Sequence, residues 1–418
     1  MVVALLAWIY FRSYDAFMLA LDRASALGPC HDANGVRPLC DFANHYYPQG
    51  LALAKAPVVV HGFYYSAFFA VCMRALATFG YPIAQWLWGA TLVAATLVLL
   101  FAPLSRVFRT SLRGCLIYGV IFACALPIWH DLAFGQLSAI TTALILHSLL
   151  AYAQRRPVLS ALLIGLATSI KFYPGLFLVY FVIRRDWRAV GMALVVVVVC
   201  MGIVPFLLLG DAGFLVFHRS LGVALDQFAN FIATSPFSNF IANAVSHVAL
   251  GRVEPSSTLY QGAFVLGLVV ASFHAYLVWR KARIEPSQSI RAAIIFGFAS
   301  VPFVVRSSWV HYFVFLPLLQ VHVMEDTRAP VTRGVWRGLA LVSASVSAVL
   351  ISAPWLCLVR GQSYYQDGWP FWATAVLLPW LYVRALTIRP AAGKGKDGER
   401  TEELSPQTPG QGERALST

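Results

Sequence analysis

Residues 189–209 read AVGMALVVVVVCMGIVPFLLL, an apolar run that contains no charged side chain. An α-helix of about 20 apolar residues is long enough to cross the hydrocarbon core of a bilayer. Backbone that faces hydrocarbon must satisfy its own hydrogen bonds, and a run of this length is too long for a barrel strand. The run therefore predicts a membrane-spanning α-helix.

Similar runs recur along the chain and set the expected fold class. Hydrophobic residues make up 59% of the 418 residues and charged residues only 12%, whereas about a quarter of the residues in soluble proteins are charged. We expect an all-α, polytopic integral membrane protein with about 10–12 membrane helices. Its membrane domain covers residues 1–388 and carries two large outer loops, at about 22–56 and 210–257. Residues 389–418 form a disordered cytoplasmic tail.

The positions of the basic residues predict the orientation. The formal net charge is +13, and most of the 31 Lys and Arg residues lie in short segments between apolar runs. Such segments face the cytoplasm, so the charge indicates topology and not a nucleic-acid partner. We expect a multi-pass protein of the bacterial inner membrane. The basic segments are 106–113, 155–156, 184–188, 280–283, 328–337 and the residues from 384 onward.

Two segments do not fit a simple series of spans. The run 57–79 carries His61, Tyr64 and Arg74, and we expect it to lie in the outer interface or to dip in and return. The run 157–183 is interrupted by Pro174-Gly175 next to Lys171, which predicts either two half helices that meet near the outer face or one long kinked span. The expected spans are 1–21, 82–104, 114–129, 136–153, 189–209, 258–279, 290–305, 311–324, 335–355 and 369–388.

The first outer loop contains CDFANHYYPQG at residues 40–50, a concentration of reactive side chains. Asp41 is the only carboxylate of this run, and Pro48 is expected to end any regular element. An ordinary interfacial loop is the alternative, because Tyr and His are common at headgroup level. Cys30 and Cys40 fall in the same loop, where an oxidising compartment would allow a disulfide that contributes about 2–3 kcal/mol.

Three polar groups of residues meet on the outer side in this topology. Ionisable side chains at a membrane domain are costly unless they are paired or line a wet cavity, so each group is a candidate for function. Each group also has an ordinary explanation: contact with lipid headgroups for Lys171 and Arg306, a plain loop for His130 and Asp131, and an interfacial position for His311. The groups are Asp41, Asn44 and His45; His130, Asp131 and Gln136 with Lys171; and Arg306 with His311.

Four motifs resemble glycosyltransferase family 87, whose members are bacterial membrane glycosyltransferases of the GT-C fold. They are DFANHYY at 41–47, LPIWHDLAFGQ at 126–136, SALLIGLATSIKFYP at 160–174 and SWVHY at 308–312. The family usually has a Tyr-Pro-Pro run after the first loop, and this chain has FYYS at 63–66 instead. The resemblance covers most of residues 36–325.

The resemblance implies transfer of a hexose, mannose by family default, from a polyprenyl-phosphate sugar to an extracytoplasmic acceptor with inversion. Asp41 matches the general base of such enzymes, and Lys171, His311 and Arg306 are the expected ligands of the donor phosphate. The acceptor is a glycolipid or a polysaccharide. No cofactor and no metal are expected, since the acidic residues show no ligand spacing. Residues that position the substrates are expected to include Asn44, His45, Tyr47, His130 and Gln136.

Two other classes of protein share these features. A transporter or flippase for lipid-linked sugars or polysaccharides also has apolar spans and intramembrane cations. Its ionisable sites are expected near the middle of the bilayer on paired discontinuous helices, whereas most of the polar residues here lie at the outer ends of spans. A non-catalytic scaffold of the same fold is the third reading.

Overall fold

The computed structural model describes most of the chain between residues 31 and 387. Four expectations from the sequence lie outside the described residues, namely the first span at 1–21, the tail at 389–418, Cys30 and Arg306. The described residues are 31–32, 35–36, 39–105, 107–108, 110–229, 237–250, 257–305, 309–327, 334–352, 355 and 368–387.

The described part of the chain is α-helical almost throughout, which confirms the all-α membrane fold class. Its α-helices are α1 (Tyr47–Leu53), α2 (Ala67–Ala77), α3 (Tyr81–Phe101), α4 (Leu112–Cys124), α5 (Leu126–Phe134), α6 (Ser138–Ala153), α7 (Pro157–Ile170), α8 (Leu178–Ile183), α9 (Trp187–Val198), α10 (Val204–Ala229), α11 (Phe237–Leu250), α12 (Ser257–Ile284), α13 (Ser289–Val304), α14 (Leu316–Asp326), α15 (Val335–Leu350), α16 (Trp369–Ala375) and α17 (Leu378–Thr387). Strands β1 (His31–Asp32) and β2 (Gly35–Val36) form a short antiparallel pair.

Several of these helices are long and apolar enough to cross a membrane. Among the described residues, 4 helical segments meet this condition, or 5 if the bent pair α5–α6 counts as one span. Five further apolar helices are shorter, with 10–17 residues each. The expected total of about 10–12 membrane helices counts such short elements as spans and stays a prediction. The long segments are Tyr81–Leu104, Trp187–Leu225, Thr258–Ile284 and Pro286–Val304.

The predicted second outer loop, over 210–257, is helical where it is described, and its position outside the membrane stays a prediction. Helix α10 continues through a kink at Gly210, whose φ is 71°, to Ala229, and α11 covers part of the remainder. Phe217 and Leu221 are buried on one side of α10 at helical spacing. The segment Trp187–Leu225 has 39 residues, a helical path of about 58 Å when followed through the kink, which is almost twice the roughly 30 Å thickness of a hydrocarbon core.

The described part of the first loop also contains helix, over residues 42–53. A π-helical turn at Phe42–Tyr46 leads directly into α1. Pro48 does not end the element, because it occupies the first turn of α1, where the missing backbone N–H is not needed. Asp41 is therefore held at the start of a helix and not in an irregular loop.

Three predicted segments are broken in the structure. The predicted span 114–129 is interrupted after Cys124, where α4 ends and α5 begins. A second break follows, because α5 and α6 meet at a bend of 115°. The predicted break in 157–183 is confirmed, because α7 ends at Ile170 and a 3₁₀ turn precedes α8. The predicted span 369–388 consists of the two short helices α16 and α17.

An aromatic cluster fixes residues 39–53, which we call the first segment, to the rest of the fold. Phe42 stacks on Trp88 of α3 with ring centroids 5.6 Å apart, and Tyr46 meets the same ring edge-on at 5.8 Å. Phe63 and Phe69 complete the cluster and are buried. Large aromatic side chains bury much apolar area each, so this packing holds the helix of Asp41 against the α5–α6 pair.

Candidate active site

The break between α5 and α6 is the element on which the site is built. Gly135 ends α5 in a left-handed conformation with φ 71°, which costs a residue with a side chain more than glycine. A Cβ at this position would lie 3.1 Å from Leu39 Cβ and 3.3 Å from Phe42 Cβ. Trp88 Nε1 donates to the Gly135 carbonyl at 2.9 Å, and Leu39 N donates to the Ala133 carbonyl at 2.8 Å. The first segment thus docks directly on the break.

Gln136 connects this break to Asp41. Its Nε2 donates a short hydrogen bond to Asp41 Oδ2, and its Oε1 lies 2.9 Å from the hydroxyls of both Tyr46 and Tyr65. The two hydroxyl oxygens are 2.7 Å apart. Because tyrosine hydroxyls donate to the amide oxygen, the amide nitrogen of Gln136 faces the carboxylate. Tyr46 and Tyr65 therefore orient Gln136, and Gln136 orients Asp41.

The π-helical turn explains how Asp41 and Tyr46 reach the same amide. Within this turn the backbone N–H of Tyr47 donates to the carbonyl of Phe42, five residues earlier. In an α-helix, residues five apart point in well-separated directions, and the wider π turn brings them closer to one face. The side chains of Asp41 and Tyr46 converge on Gln136 for this reason.

The surroundings of Asp41 adjust its acidity. The side chain is half-buried, and burial raises the pKa of Asp41 to about 7, while the positive charge of Lys171 opposes part of that rise. Burial also raises the pKa of Tyr46 and of Tyr65, so both remain neutral hydroxyls. A carboxyl group that titrates near neutral pH is suited to accept a proton and release it again.

Asp131 is the second buried carboxylate of the region, and its oxygens are occupied. Oδ1 accepts from Ser138 N at 3.0 Å and Oδ2 from Ala139 N at 3.1 Å. These are two of the backbone N–H groups that the first turn of α6 leaves without helical partners. The carboxylate also sits at the positive end of the helix dipole. Asp131 thus caps α6 and stabilises the bend.

Lys171 lies at the end of α7, where the backbone becomes extended and turns the side chain inward. Only 4% of the residue is exposed, and Nζ donates to Ser138 Oγ at 3.0 Å. Nζ also lies 4.0 Å from the ring centroid of Tyr312 and 5.7 Å from that of Tyr65. An ammonium group has three N–H donors, and Ser138 is its hydrogen-bond partner among the described residues. The remaining donors suit an anionic ligand.

His311 lies next to the ring of Tyr312, and its own ring faces that of His130. The two Nδ1 atoms are 3.4 Å apart, and both residues are buried. His311 Nε2 is buried without a hydrogen-bond partner in the described part of the chain. Buried polar atoms are nearly always paired, so this nitrogen is available to a ligand. The described residues contain no group of three or more His, Cys, Asp or Glu placed to share a metal ion.

Three expected positioning residues make contacts with their neighbours in the fold, and their role toward substrate stays a prediction. Asn44 Nδ2 donates to Cys40 Sγ at 3.2 Å, and His45 Nδ1 lies 2.9 Å from the carbonyl of His61. Tyr47 packs against neighbouring aromatic rings. These contacts hold the segment in place. Cys40 is disulfide-bonded, and the expected partner lies outside the described residues, so the pairing itself stays a prediction.

Several residues of the site had no role assigned from the sequence. Tyr46 and Tyr65 support Gln136, Ser138 accepts from Lys171, and the ring of Tyr312 lies against the ammonium group. Tyr46 and Tyr312 belong to the quoted motifs, which was the available signal for these two. Tyr65 lies in an apolar interfacial run, where tyrosine is common for other reasons.

The apolar helices and the family to which the sequence matches define a membrane glycosyltransferase. Glycosyltransferase family 87 matches residues 63–308, more than half of the chain, and the protein belongs to this family. The matched range contains Gln136 and Lys171, whereas Asp41 and His311 lie outside it.

The similar curated proteins are mycobacterial mannosyltransferases. A polyprenol-phosphate-mannose-dependent alpha-(1-2)-phosphatidylinositol pentamannoside mannosyltransferase of Mycolicibacterium smegmatis is 25% identical over 387 residues, covering 90% of this chain and 86% of its own. A protein of the same name from Mycobacterium tuberculosis strain CDC 1551 is 26% identical, covering 83% and 82%. A phosphatidylinositol mannoside mannosyltransferase of strain H37Rv is 25% identical, covering 63% and 58%. No solved structure matches the chain significantly.

Proposed function

We propose that the protein transfers a hexose, mannose by family default, from a polyprenyl-phosphate sugar to an acceptor on the outer face of the membrane. The observation that carries the proposal is the joint placement of Asp41 and Lys171 around the α5–α6 break, with the charge of Lys171 acting on the carboxyl group. A base and a phosphate-binding cation are the two groups that this reaction needs. The names of the mycobacterial relatives supply the donor class.

The proposed step is a single displacement at the anomeric carbon. The ionised carboxylate of Asp41 removes the proton of the acceptor hydroxyl, whose oxygen attacks the anomeric carbon. The bond from this carbon to the phosphate oxygen breaks, and its electron pair stays on the departing polyprenyl phosphate. Lys171 and His311 stabilise the charge that develops there. General base catalysis contributes about 10²–10⁴ in rate, or about 3–5 kcal/mol of barrier.

The roles of the two carboxylates favour inversion. A double displacement with retention requires a nucleophilic carboxylate in addition to the acid or base, as in retaining glycosidases. Both oxygens of Asp131 accept backbone N–H groups of α6, so Asp131 is engaged as a helix cap. Asp41 is then the carboxylate that acts, and one displacement inverts the anomeric configuration.

The acceptor is proposed to be a glycolipid, because the relatives carry the name of a phosphatidylinositol mannoside mannosyltransferase. A polysaccharide is the other acceptor class.

The basic segments 155–156 and 184–188 favour a cytoplasmic position for these turns, which supports an outer position of Asp41 at the bacterial inner membrane.

The test is sugar transfer by purified protein in nanodiscs from a radiolabelled polyprenyl-phosphate mannose to a panel of glycolipids and polysaccharides. We expect transfer by the wild type and a loss of about 10²–10⁴ in Asp41→Asn. Asp211→Asn is the matched control, because Asp211 is exposed on α10 and accepts a hydrogen bond from the backbone N–H of its neighbour Ala212.

The anomeric configuration of the product, determined by NMR, tests inversion. Retention would contradict the single displacement. A wild type that transfers none of the polyprenyl-phosphate sugars, yet moves them across sealed vesicles, would support the transporter instead.

A further inference from the structure

Two buried histidines face each other at the site through equivalent nitrogens. Nδ1 of His130 lies 3.4 Å from Nδ1 of His311, and the two residues are 3% and 2% exposed. The ring of His130 is held by Phe134, which stacks on it with a centroid distance of 4.2 Å and an interplanar angle of 8°. His130 belongs to α5 and His311 to the 3₁₀ turn Val310–Phe313. The contact therefore joins two elements that are far apart in sequence.

This geometry links the tautomers of the two rings. A neutral imidazole carries one hydrogen, on either Nδ1 or Nε2. A hydrogen bond between two facing Nδ1 atoms needs one hydrogen and one lone pair. If the hydrogen is on His130 Nδ1, then His311 Nδ1 accepts it and the hydrogen of His311 must be on Nε2. The tautomer of one ring thus fixes that of the other.

The surroundings of His311 Nε2 indicate which arrangement functions. This nitrogen is buried and has no hydrogen-bond partner among the residues that the structure describes. The ring of Tyr312, the next residue, lies 4.0 Å from the ammonium nitrogen of Lys171. A ligand beside this cation is an anion, and an anion requires a donor at Nε2. A neutral N–H group supplies such a donor without burying a second positive charge.

We propose that His130 is a positioning residue that holds His311 with its hydrogen on Nε2, so that His311 donates to the phosphate of the donor substrate. The inference rests on the proposed function and extends it to the leaving group. His311 contacts the phosphate, and His130 acts through His311. Lys171 supplies the charge, and His311 supplies a directed hydrogen bond.

The charge balance of the reaction predicts the kinetic consequence. The donor phosphodiester carries one negative charge, and the departing polyprenyl phosphate carries a second one on the oxygen that keeps the electron pair. A hydrogen bond from His311 Nε2 therefore becomes stronger as the bond to the sugar breaks. Such a bond lowers the barrier more than it improves donor binding. It also strengthens binding of the product polyprenyl phosphate.

The experiment compares His130→Leu with His130→Asn in nanodiscs, using polyprenyl-phosphate mannose as donor and polyprenyl phosphate as inhibitor. The amide N–H of Asn replaces the donor at Nδ1, and Leu removes it. We expect His130→Leu to lower kcat by about 10- to 100-fold and to weaken inhibition by polyprenyl phosphate, with the acceptor KM unchanged. His130→Asn restores both to within a few-fold of the wild type.

A double substitution tests the coupling directly. In His311→Gln the amide N–H takes the place of Nε2–H and needs no partner to fix its tautomer. His130→Leu should therefore cost little in that background, and equal losses in both backgrounds would overturn the proposal. If His130→Leu does not accumulate, His130→Gln replaces it, because its amide extends past the Nδ1 position. Rescue by Asn and the non-additive pair then decide the outcome.

His274 provides the matched control. It is buried like His130, but its Nδ1 lies 2.8 Å from Ser300 Oγ and its Nε2 2.6 Å from the Tyr382 hydroxyl. His274→Leu should lower thermal stability and leave kcat and product inhibition of the folded protein unchanged. A wild type without transfer would refute the proposed function itself. An active wild type with an unaffected His130→Leu variant would refute only the role of His130.

Discussion

At the scale of single residues, the site depends on a chain of hydrogen bonds that ends at one carboxylate. The hydroxyls of Tyr46 and Tyr65 fix the amide of Gln136, and this amide donates to Asp41. Burial raises the pKa of Asp41 to about 7. The hydrogen bonds therefore fix the direction of the proposed base, and burial raises its pKa.

The raised pKa of Asp41 predicts a pH dependence of transfer. The base acts only when ionised, so kcat/KM should be lost as the pH falls through about 7 and should level off above it. With an aspartate of ordinary pKa, kcat/KM would not change with pH until the pH fell to about 4. The measurement is a profile of kcat/KM between pH 5 and 9. A flat profile in this range would contradict the assignment, and the residual rate of Asp41→Asn should show no such step.

Gln136→Leu should shift this profile to higher pH. Removing an N–H donor from the ionised carboxylate disfavours that form, by about one pH unit for a hydrogen bond to a charged group. Gln49→Leu is the matched control, since Gln49 is equally buried but bonds to the backbone of Val58 and Val60. Gln49→Leu should destabilise the protein without moving the midpoint. Identical midpoints for both variants would argue against the support of Asp41 by Gln136.

The sequence was sufficient to predict the ionisable residues of the candidate site and Gln136, but not Ser138 or the tyrosines that support them. Asp41 and Lys171 are costly in an apolar chain, so their presence alone suggested a function. Tyr46, Tyr65 and Tyr312 have an ordinary explanation at a membrane surface. Their contacts with Gln136 and Lys171 join distant segments and became visible only in the folded chain.

At the scale of elements, the bend between α5 and α6 collects the contacts of the site. Gln136 lies in the bend, Asp131 caps α6, and Ser138 accepts from Lys171. The motif around Gly135 and Gln136 was recognised in the sequence. The bend of 115° was not predicted, because it depends on the left-handed glycine and on the cap by Asp131.

Gly135→Ala should damage both stability and activity. The left-handed conformation costs a non-glycine residue about 1–2 kcal/mol, and the added methyl group would press on Leu39 and Phe42. We expect a lower thermal midpoint and a reduced kcat, since Phe42 directly follows the proposed base. Gly119→Ala is the control on α4, where nothing lies within 4 Å of the added atom. It should be neutral or stabilising by about 0.5–1 kcal/mol.

Helices α10 and α11 show the limit of reading elements from composition. Residues 210–257 contain Asp211, His218 and Arg219 and lie between two apolar runs, and the sequence predicts an outer loop there. These three side chains are exposed, while Phe217 is fully buried on another face of α10. Periodicity of 3.6 residues carried the information, and the kink at Gly210 interrupted the signal.

At the scale of the whole molecule, the positions of the charges predict which face is outside. The all-α membrane class followed from composition, because 12% charged residues are too few to cover the surface of a soluble protein of this size. The number of crossings was harder to predict, because helices such as α2 and α7 are apolar but short. Length decides whether a helix crosses, and helix ends are the least certain part of a sequence-based prediction.

The orientation is tested by labelling cysteines with a membrane-impermeant maleimide in intact cells. His61 and Arg155 are both exposed, and the predicted topology puts His61 on the outer side of the membrane and Arg155 on the cytoplasmic side. We expect His61→Cys to be labelled in intact cells and Arg155→Cys only after permeabilisation. Labelling of the unsubstituted chain, which contains partly buried cysteines such as Cys72, gives the background. The reverse pattern would place Asp41 in the cytoplasm and overturn the proposed donor side.

The docking of the first segment on the α5–α6 bend has a consequence for the order of biosynthesis. Asp41 leaves the ribosome 95 residues before Gln136, its hydrogen-bond partner. Lys171 follows later still. A nascent chain that has exported its first segment therefore holds an ordinary hydrated carboxylate until the later helices are inserted. The proposed base is therefore complete only after this segment docks on the bend, whose residues leave the ribosome later.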